Sequence, residues 1–253
     1  MGRILLGGIT LITLFISGCH PAGLTTRGTP TSTPTPPPRV TVWREPSLAA
    51  WDARLARCAA EGPILLAVHE TLAIAPLSNP AWYLRWGEPP GQGIAFSLGT
   101  EQAHPALGPQ TPTEPLELAQ WRAVWLGKVR LWAELNPRWP STPIYPIAPW
   151  PESALGQGLT TLVGPRWRHH PRAVLAPDPE TALNILARTP GSVGWLPRGW
   201  FAWRAAQGDP RTQHVHMVDT PMWRAPVVLW HPTSENLSIA VQRWISCLQY
   251  GGE

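Results

Sequence analysis

Cys19 is the residue near the start of the chain whose side chain could carry covalent chemistry. It follows an almost unbroken apolar run over residues 4–16 and two small residues, and Arg3 gives the segment a positive start. A charged start, an apolar core and small residues before a cleavage point form the three-part layout of a secretory signal. The apolar core is too short to cross a bilayer as a permanent helix. We therefore expect residues 1–18 to be a signal peptide.

The segment around Cys19 resembles a bacterial lipoprotein signal, in which cleavage before the cysteine leaves an N-terminus that carries acyl chains. Ile16 supplies the aliphatic residue that such signals have three positions before the cysteine. The resemblance implies lipidation at Cys19 and a lipid-anchored location at the cell membrane, facing outside the cytoplasm. An uncleaved anchor and a plain secretory signal with an incidental cysteine are the alternatives.

Residues 19–39 are typical of an extended tether. They are rich in proline and threonine and have no apolar periodicity. Such a chain adopts a polyproline-like conformation of ~3 Å per residue, so this one could span ~60 Å between the membrane and a globular head.

Cys58 and Cys247 are the two other cysteines of the chain. An even pair in an oxidising compartment is consistent with a disulfide, which would join an early helix to the last one. The alternative is that the two cysteines are separate buried thiols. The sequence has no Cys-x-x-Cys pair, zinc-ligand spacing or haem attachment motif, so we expect no metal and no cofactor.

Motifs of common enzymes are missing from the sequence. It contains no Gly-x-Ser-x-Gly elbow, His-Glu-x-x-His helix or glycine-rich phosphate loop, and we do not expect an enzyme. A net charge of +4 without a basic run gives no indication of nucleic-acid binding. His214 and His216 could face the same side of a strand, but we expect surface histidines because no third ligand is near in sequence.

Tryptophan is unusually frequent, with 16 residues against 3 Phe and 3 Tyr. We expect most of these rings to pack in the core. The alternative is that some line a cleft for an apolar or sugar-like ligand; the candidates are Trp82, Trp86, Trp195, Trp200 and Trp203.

Hydrophobic periodicity predicts alternating strands and helices, and hence an α/β fold. A strand at 40–43, a helix at 48–60 capped by Ser47 and a strand at 64–68 form a βαβ unit, and the second strand should be buried on both faces. The later elements are strands at 93–98, 143–147, 173–176, 192–196, 215–218 and 227–230, and helices at 116–134, 153–163, 178–187 and 236–250.

Four passages in chain order resemble the solute-binding lipoproteins of ABC transporters, in their phosphate-type branch. They are an opening strand with a serine-containing loop, a helix with a glycine kink and a tryptophan, the strand after it, and a Pro-Gly turn before a returning strand; the residues are 40–47, 118–132, 143–147 and 189–197.

The resemblance implies a two-lobed fold like that of type II periplasmic binding proteins, with a hinge between the lobes. Lobe one would be residues 40–112 and 203–253, and lobe two residues 113–202. The expected function is that of a monomeric binding protein that captures a small ligand between the lobes for an ABC transporter permease. The alternative is a sensory or adaptor lipoprotein that kept the fold and lost the ligand site.

The resemblance also assigns candidate ligand-binding hydroxyl groups, on Ser47 and Ser153, with a simple helix cap as the alternative role of Ser47. Ser97 and Thr100 close the third predicted strand and could face the same cleft, with ordinary turn hydroxyls as the alternative. Helix N-termini with small hydroxyl residues suit oxyanions, because free N–H groups and a partial positive charge meet there. Where the family has a Ser-Gly-Thr loop, this chain has residues 151–156 with Glu152. A carboxylate at that position would repel phosphate.

Overall fold

A mixed β-sheet with helices packed against it organises the part of the chain that the computed structural model describes. That part comprises residues 36–72, 81–219, 222–233 and 236–251, without the side chains of Arg168 and His169. The predicted signal peptide, Cys19 and most of the tether lie outside the described residues. Within the described ranges, no helix has the length and apolar character needed to cross a membrane.

The elements confirm the predicted α/β class. The strands are β1 (Arg39–Arg44), β2 (Leu65–Glu70), β3 (Trp82–Trp86), β4 (Ile94–Leu107), β5 (Tyr145–Pro149), β6 (Val174–Ala176), β7 (Ser192–Pro197), β8 (His216–Met217) and β9 (Trp223–His231). The α-helices are α1 (Asp52–Glu61), α2 (Leu118–Trp125), α3 (Ala154–Val163), α4 (Pro179–Leu186), α5 (Arg198–Ala206) and α6 (Ile239–Tyr250).

Two groups of parallel strands are joined by two antiparallel strands. The order across the sheet is β2-β1-β3-β9-β4-β7-β5-β6, with β8 beside β4. β1 is parallel to β2 and β3, β5 is parallel to β6 and β7, and β4 and β9 run antiparallel to their neighbours. β4 pairs with β9 over residues 94–103 and with β7 over residues 103–107, so it links the two halves of the sheet. The proposed lobe limits at 112/113 and 202/203 stay a prediction.

The first βαβ unit forms, with two corrections. Pro46–Trp51 is a 3₁₀ turn and α1 begins only at Asp52, so Ser47 lies inside the turn and does not cap a helix. The prediction that β2 is buried on both faces is wrong: in the described sheet β2 is an edge strand, and Leu65 is half exposed. A continuous apolar run therefore did not indicate a central strand.

Elements after the first unit differ from the prediction in two further ways. The helix predicted over 116–134 ends at Trp125, because Gly127 adopts a left-handed conformation (φ +67°) that turns the chain away from the helix axis. β3 and α5 were not predicted. Residues 82–86 are all buried and show no alternation, so they lack the pattern of a half-exposed strand.

Tryptophan rings and one disulfide hold the core together. Trp121, Trp125 and Trp244 are among the fully buried side chains, which confirms the core interpretation for many of the tryptophans. A disulfide joins Cys58 of α1 to Cys247 of α6. Of the two possibilities that the sequence left open, a disulfide or two separate thiols, the structure therefore shows the disulfide.

Candidate functional site

A narrow cavity lies where the two parallel groups of the sheet meet. Its walls are the segments that follow β1, β2, β5 and β6, the first turns of α3 and α4, and Trp195 of β7. All four segments leave the carboxyl ends of parallel strands, which is where open α/β sheets bind ligands. Proline and aliphatic side chains make up most of the walls, and the polar groups come from Glu45, Ser47, Thr71, Ser153 and Asp178.

The cavity is nearly closed in this structure. The space open to the centre of a water molecule is about 20 Å³, which is room for roughly one or two waters. Next to it, and sharing Pro46, Asp178 and Pro179, is a wider depression of about 280 Å³ lined by Trp200 and Trp203. A ligand of more than a few atoms therefore needs the cavity walls to separate.

Ser47 and Ser153 line the same cavity, one from each half of the sheet. Ser153 is the N-cap of α3: its hydroxyl accepts a hydrogen bond from the Gly156 N–H at 3.1 Å and donates one to the Trp150 carbonyl at 2.6 Å. The Ser47 side chain is buried, and its hydroxyl has no hydrogen bond to any other described residue. Ser47 is thus the better placed of the two to contact a ligand.

Ser97 and Thr100 do not line the cavity. Both lie on β4, where they pair with Val228 and Pro226 of β9. The prediction that they face the cleft assumed that the strand ends near residue 98. A bulge between Ser97 and Gly99 instead lets β4 continue to Leu107, and Thr100 faces a separate surface depression.

Glu45 is the site residue that the sequence analysis missed. It follows β1, lies inside the cavity and is only 8% exposed. Its Oε1 is 3.7 Å from Nε of Arg85. Burial raises the pKa of Glu45 to about 7, against the opposing effects of Arg85 and of the nearby backbone N–H groups of Trp86 and Ala154. Glu152, the carboxylate that the sequence led us to expect in the ligand site, is exposed and lies outside the cavity.

No metal site is evident among the described residues, where no group of three or more His, Cys, Asp or Glu side chains is close enough to hold an ion. His214 ends a 3₁₀ turn and His216 lies on β8, and both are exposed, as expected of surface histidines.

At the start of α3, the Gly156 N–H donates a hydrogen bond to the Ser153 hydroxyl and so fixes its position. Substitution of Gly156 gives a first testable prediction. A Cβ at Gly156 would overlap the carbonyl oxygen of Trp150 and lie 2.8 Å from backbone atoms of Pro151. We expect Gly156→Ala to lower the free energy of unfolding by about 1–3 kcal/mol, because the backbone has to shift. Urea unfolding monitored by tryptophan fluorescence measures the loss.

The matched control for this prediction is Gln157→Ala, at the next position of the same helix. Gln157 is exposed, and its substitution should change stability by no more than about 0.5 kcal/mol. Equal effects of the two substitutions would show that the close approach of Gly156 to the backbone of Trp150 and Pro151 does not contribute to stability.

Comparison with known proteins identifies the fold. No protein-family model matches the chain, and neither does any curated protein sequence. A phosphate ABC transporter substrate-binding protein from Clostridium perfringens, solved with bound phosphate, superposes with a TM-score of 0.67 at 13% identity, over 85% of this chain and 94% of that one. The fold is that of the two-lobed periplasmic binding proteins.

Two further solved structures have the same architecture. An ABC-type phosphate transport receptor from Vibrio cholerae has a TM-score of 0.58 at 15% identity, over 83% of this chain and 93% of that one. The regulatory domain of CcmR from Synechocystis PCC6803, in complex with 2-PG, has a TM-score of 0.58 at 13% identity, over 85% and 98%. Transport receptors and regulatory domains thus share this fold, and the likeness at such identities concerns the fold alone.

Proposed function

We propose that this chain is an extracytoplasmic binding protein, anchored by lipid at Cys19, that captures a small ligand between its lobes for an ABC transporter. The observation that carries the proposal is the cavity, because loops from the carboxyl ends of strands in both halves of the sheet enclose it. Phosphate transport receptors have this fold, which supports a role in solute capture. The protein would act as a monomer without catalysis and without a cofactor.

Walls of proline, leucine, isoleucine and alanine favour a small ligand with an apolar part. The Ser47 hydroxyl would supply a hydrogen bond that orients it. Opening of the lobes would admit the ligand, and closure would bury it.

A second candidate function is that of a sensory or adaptor lipoprotein that has lost ligand binding. The observation that favours it is the size of the cavity, which has room for roughly one or two waters. Regulatory domains with the same fold, such as that of CcmR, show that the architecture is not restricted to transport receptors.

Ligand screening by thermal shift separates these two functions. The mature chain from residue 19 onward would be tested against oxyanions, amino acids, sugars and small apolar compounds. A ligand that binds the folded state raises the melting temperature with concentration by mass action. A saturable rise with one class, lost in Ser47→Ala, is the expected result. No response to any class would contradict ligand capture and support the adaptor function.

Removal of the acylated side chain gives a second prediction. Cys19→Ala should release the protein from membranes into the soluble extracytoplasmic fraction, because no thiol remains to carry acyl chains. Cell fractionation and metabolic labelling with a fatty-acid analogue measure the change, with Ser32→Ala in the tether as control. Continued partition of Cys19→Ala with membranes would contradict the lipid anchor.

A further inference from the structure

A pocket with basic side chains lies at the amino ends of β5 and β6, whereas the ligand cavity follows their carboxyl ends. Ile144, directly before β5, and Arg172, two residues before β6, are among its walls. The other lining residues come from the bend after α2 and from the segment before β6; they are Gly127, Val129, Arg130, His170 and Pro171. β5 is five residues long, or about 16 Å, and the two spaces share no residue. This basic pocket is therefore separate from the ligand cavity.

Positive charge in the basic pocket is not neutralised by the residues around it. Arg130 and Arg172 are exposed, and their guanidinium groups form no ion pair or hydrogen bond with any described residue. Glu134 accepts a hydrogen bond from the backbone N–H of Arg130 and does not line the pocket. No carboxylate lines it, whereas the depression beside Trp203 contains several, including that of Glu70. An anion in the basic pocket would therefore meet two free cations and no like charge in its walls.

His170 adds a neutral hydrogen-bond donor to these two charges. Its Nδ1 accepts a hydrogen bond from the Arg172 backbone N–H at 3.1 Å. Burial, and then the charge of Arg172, lowers the pKa of His170 below its ordinary value of 6.5. The ring is therefore neutral at pH 7 and carries its proton on Nε2, because Nδ1 is the acceptor. Nε2 has no hydrogen-bond partner among the described residues, so its N–H group is free to donate.

Gly127 allows the His170 ring to lie against the bend after α2. Its φ of +67° is in the left-handed region, and a Cβ at this position would lie 3.0 Å from Cδ2 and Nε2 of His170. The absence of a side chain therefore leaves room next to the free donor. The bend needs glycine both for its backbone conformation and for this close approach.

Two guanidinium groups and one N–H donor are a combination that suits a phosphate group. Arginine binds phosphate oxygens through paired N–H donors, and these charge-assisted hydrogen bonds are stronger than neutral ones. The space they surround is about 330 Å³, at the lower end of the range of small-ligand sites. Val129 and Ile144 give the walls an apolar part, which can contact the carbon atoms of a phosphate ester.

We propose that the basic pocket is a second binding site of this protein and takes a phosphate group, either on a soluble ester or on the headgroup of an anionic phospholipid. The inference does not depend on ligand capture in the cavity between the lobes. A lipid-anchored protein works beside phospholipid headgroups, which are therefore one source of such groups. Soluble phosphates are the other.

Binding of soluble phosphate can be measured at His170 itself. The mature chain from residue 19 with Cys19→Ala is titrated with inorganic phosphate and with glycerol 3-phosphate at constant ionic strength, and NMR follows its imidazole resonances. The His170 resonance, assigned by its loss in His170→Gln, should shift saturably. Arg130→Gln and Arg172→Gln should each weaken binding by about two- to fivefold, the range expected of exposed charge pairs.

Vesicles distinguish a lipid headgroup from a soluble phosphate. The same chain, which carries no acyl group, is floated with mixed vesicles of phosphatidylglycerol and phosphatidylcholine, with pure phosphatidylcholine as the neutral reference. Binding to the anionic vesicles should fall about fivefold for each of Arg130→Gln and Arg172→Gln, as expected of a basic residue at an anionic membrane surface. The matched control is Arg243→Gln, which removes the same charge from an exposed position of α6 outside the pocket and should bind as the parent chain does.

The outcomes decide both the site and its ligand. Binding that the two pocket variants weaken and Arg243→Gln leaves unchanged supports the site, and the arm in which it occurs identifies the source of the phosphate. No His170 shift and no vesicle binding would overturn the proposal. Binding that the pocket variants weaken no more than Arg243→Gln would overturn it as well, because the attraction would then depend only on net charge. Both pocket arginines are exposed, so these variants should fold, and urea unfolding checks that they do.

Discussion

Replacing both Cys58 and Cys247 with alanine is expected to lower the free energy of unfolding by about 3–5 kcal/mol. The disulfide joins residues 189 positions apart, so it closes nearly the whole head into one loop. A cross-link of that span removes many conformations from the unfolded chain, and the loss of the buried Cys58 side chain adds a packing cost. Urea unfolding of the wild type and the double variant measures the difference.

Reduction of the wild-type protein provides an independent check of this prediction. With dithiothreitol present, the wild type should unfold at a urea concentration close to that of the double variant. Ser246→Ala, at the exposed neighbouring position of α6, should change stability by no more than about 0.5 kcal/mol. A wild type equally stable with and without reductant would show that the bond does not form or does not stabilise the fold.

The α/β class could be predicted because it depends on local patterns. The strand, helix and strand of residues 40–68 have clear apolar periodicity. Ser153 can be recognised from the sequence as the hydroxyl residue that caps the start of α3. β3 could not be found in this way, because five consecutive buried residues have no alternation to detect.

The candidate site was only partly predictable, because it depends on contacts between distant segments. Ser47 and Ser153 both line one cavity, and their role in ligand binding stays a prediction. Glu45 was missed because its burial results from its contacts with residues 85, 86 and 154, none of which is near it in sequence. Ser97 and Thr100 were misplaced because the bulge in β4 depends on pairing with β9, over 120 residues away.

Asp209 is the second residue whose substitution should have a large effect, and it lies in a cluster with Arg204 and Arg211. Its side chain is 6% exposed. It accepts hydrogen bonds from Nε and Nη2 of Arg204 at 3.0 and 2.7 Å, and from Nε of Arg211 at 2.9 Å. Asp209→Asn should lower the free energy of unfolding by about 2–4 kcal/mol, because two partly buried guanidinium groups lose their shared counter-charge.

The matched control is Glu180→Gln, which removes a carboxylate that contacts the same two arginines from the solvent side. The Glu180 side chain is 49% exposed, and its ion pairs with Arg204 and Arg211 are screened by water. Such exposed pairs contribute about 0–1 kcal/mol, so this variant should remain close to wild type. Similar losses in both variants would show that burial of Asp209 is not what makes its contacts strong.

The effect of Asp209→Asn should also depend on pH, and the direction follows from the pKa of Asp209. The hydrogen bonds from Arg211, then those from Arg204, hold this pKa well below its ordinary value of 3.8 in the folded state. The carboxylate therefore stabilises the fold at pH values above its unfolded pKa of ~4, and that contribution decreases as the pH falls below ~4. The stability difference between wild type and Asp209→Asn should be full at pH 7 and shrink steadily towards pH 2. A difference that stays constant over that range would show that the Asp209 charge is not its source.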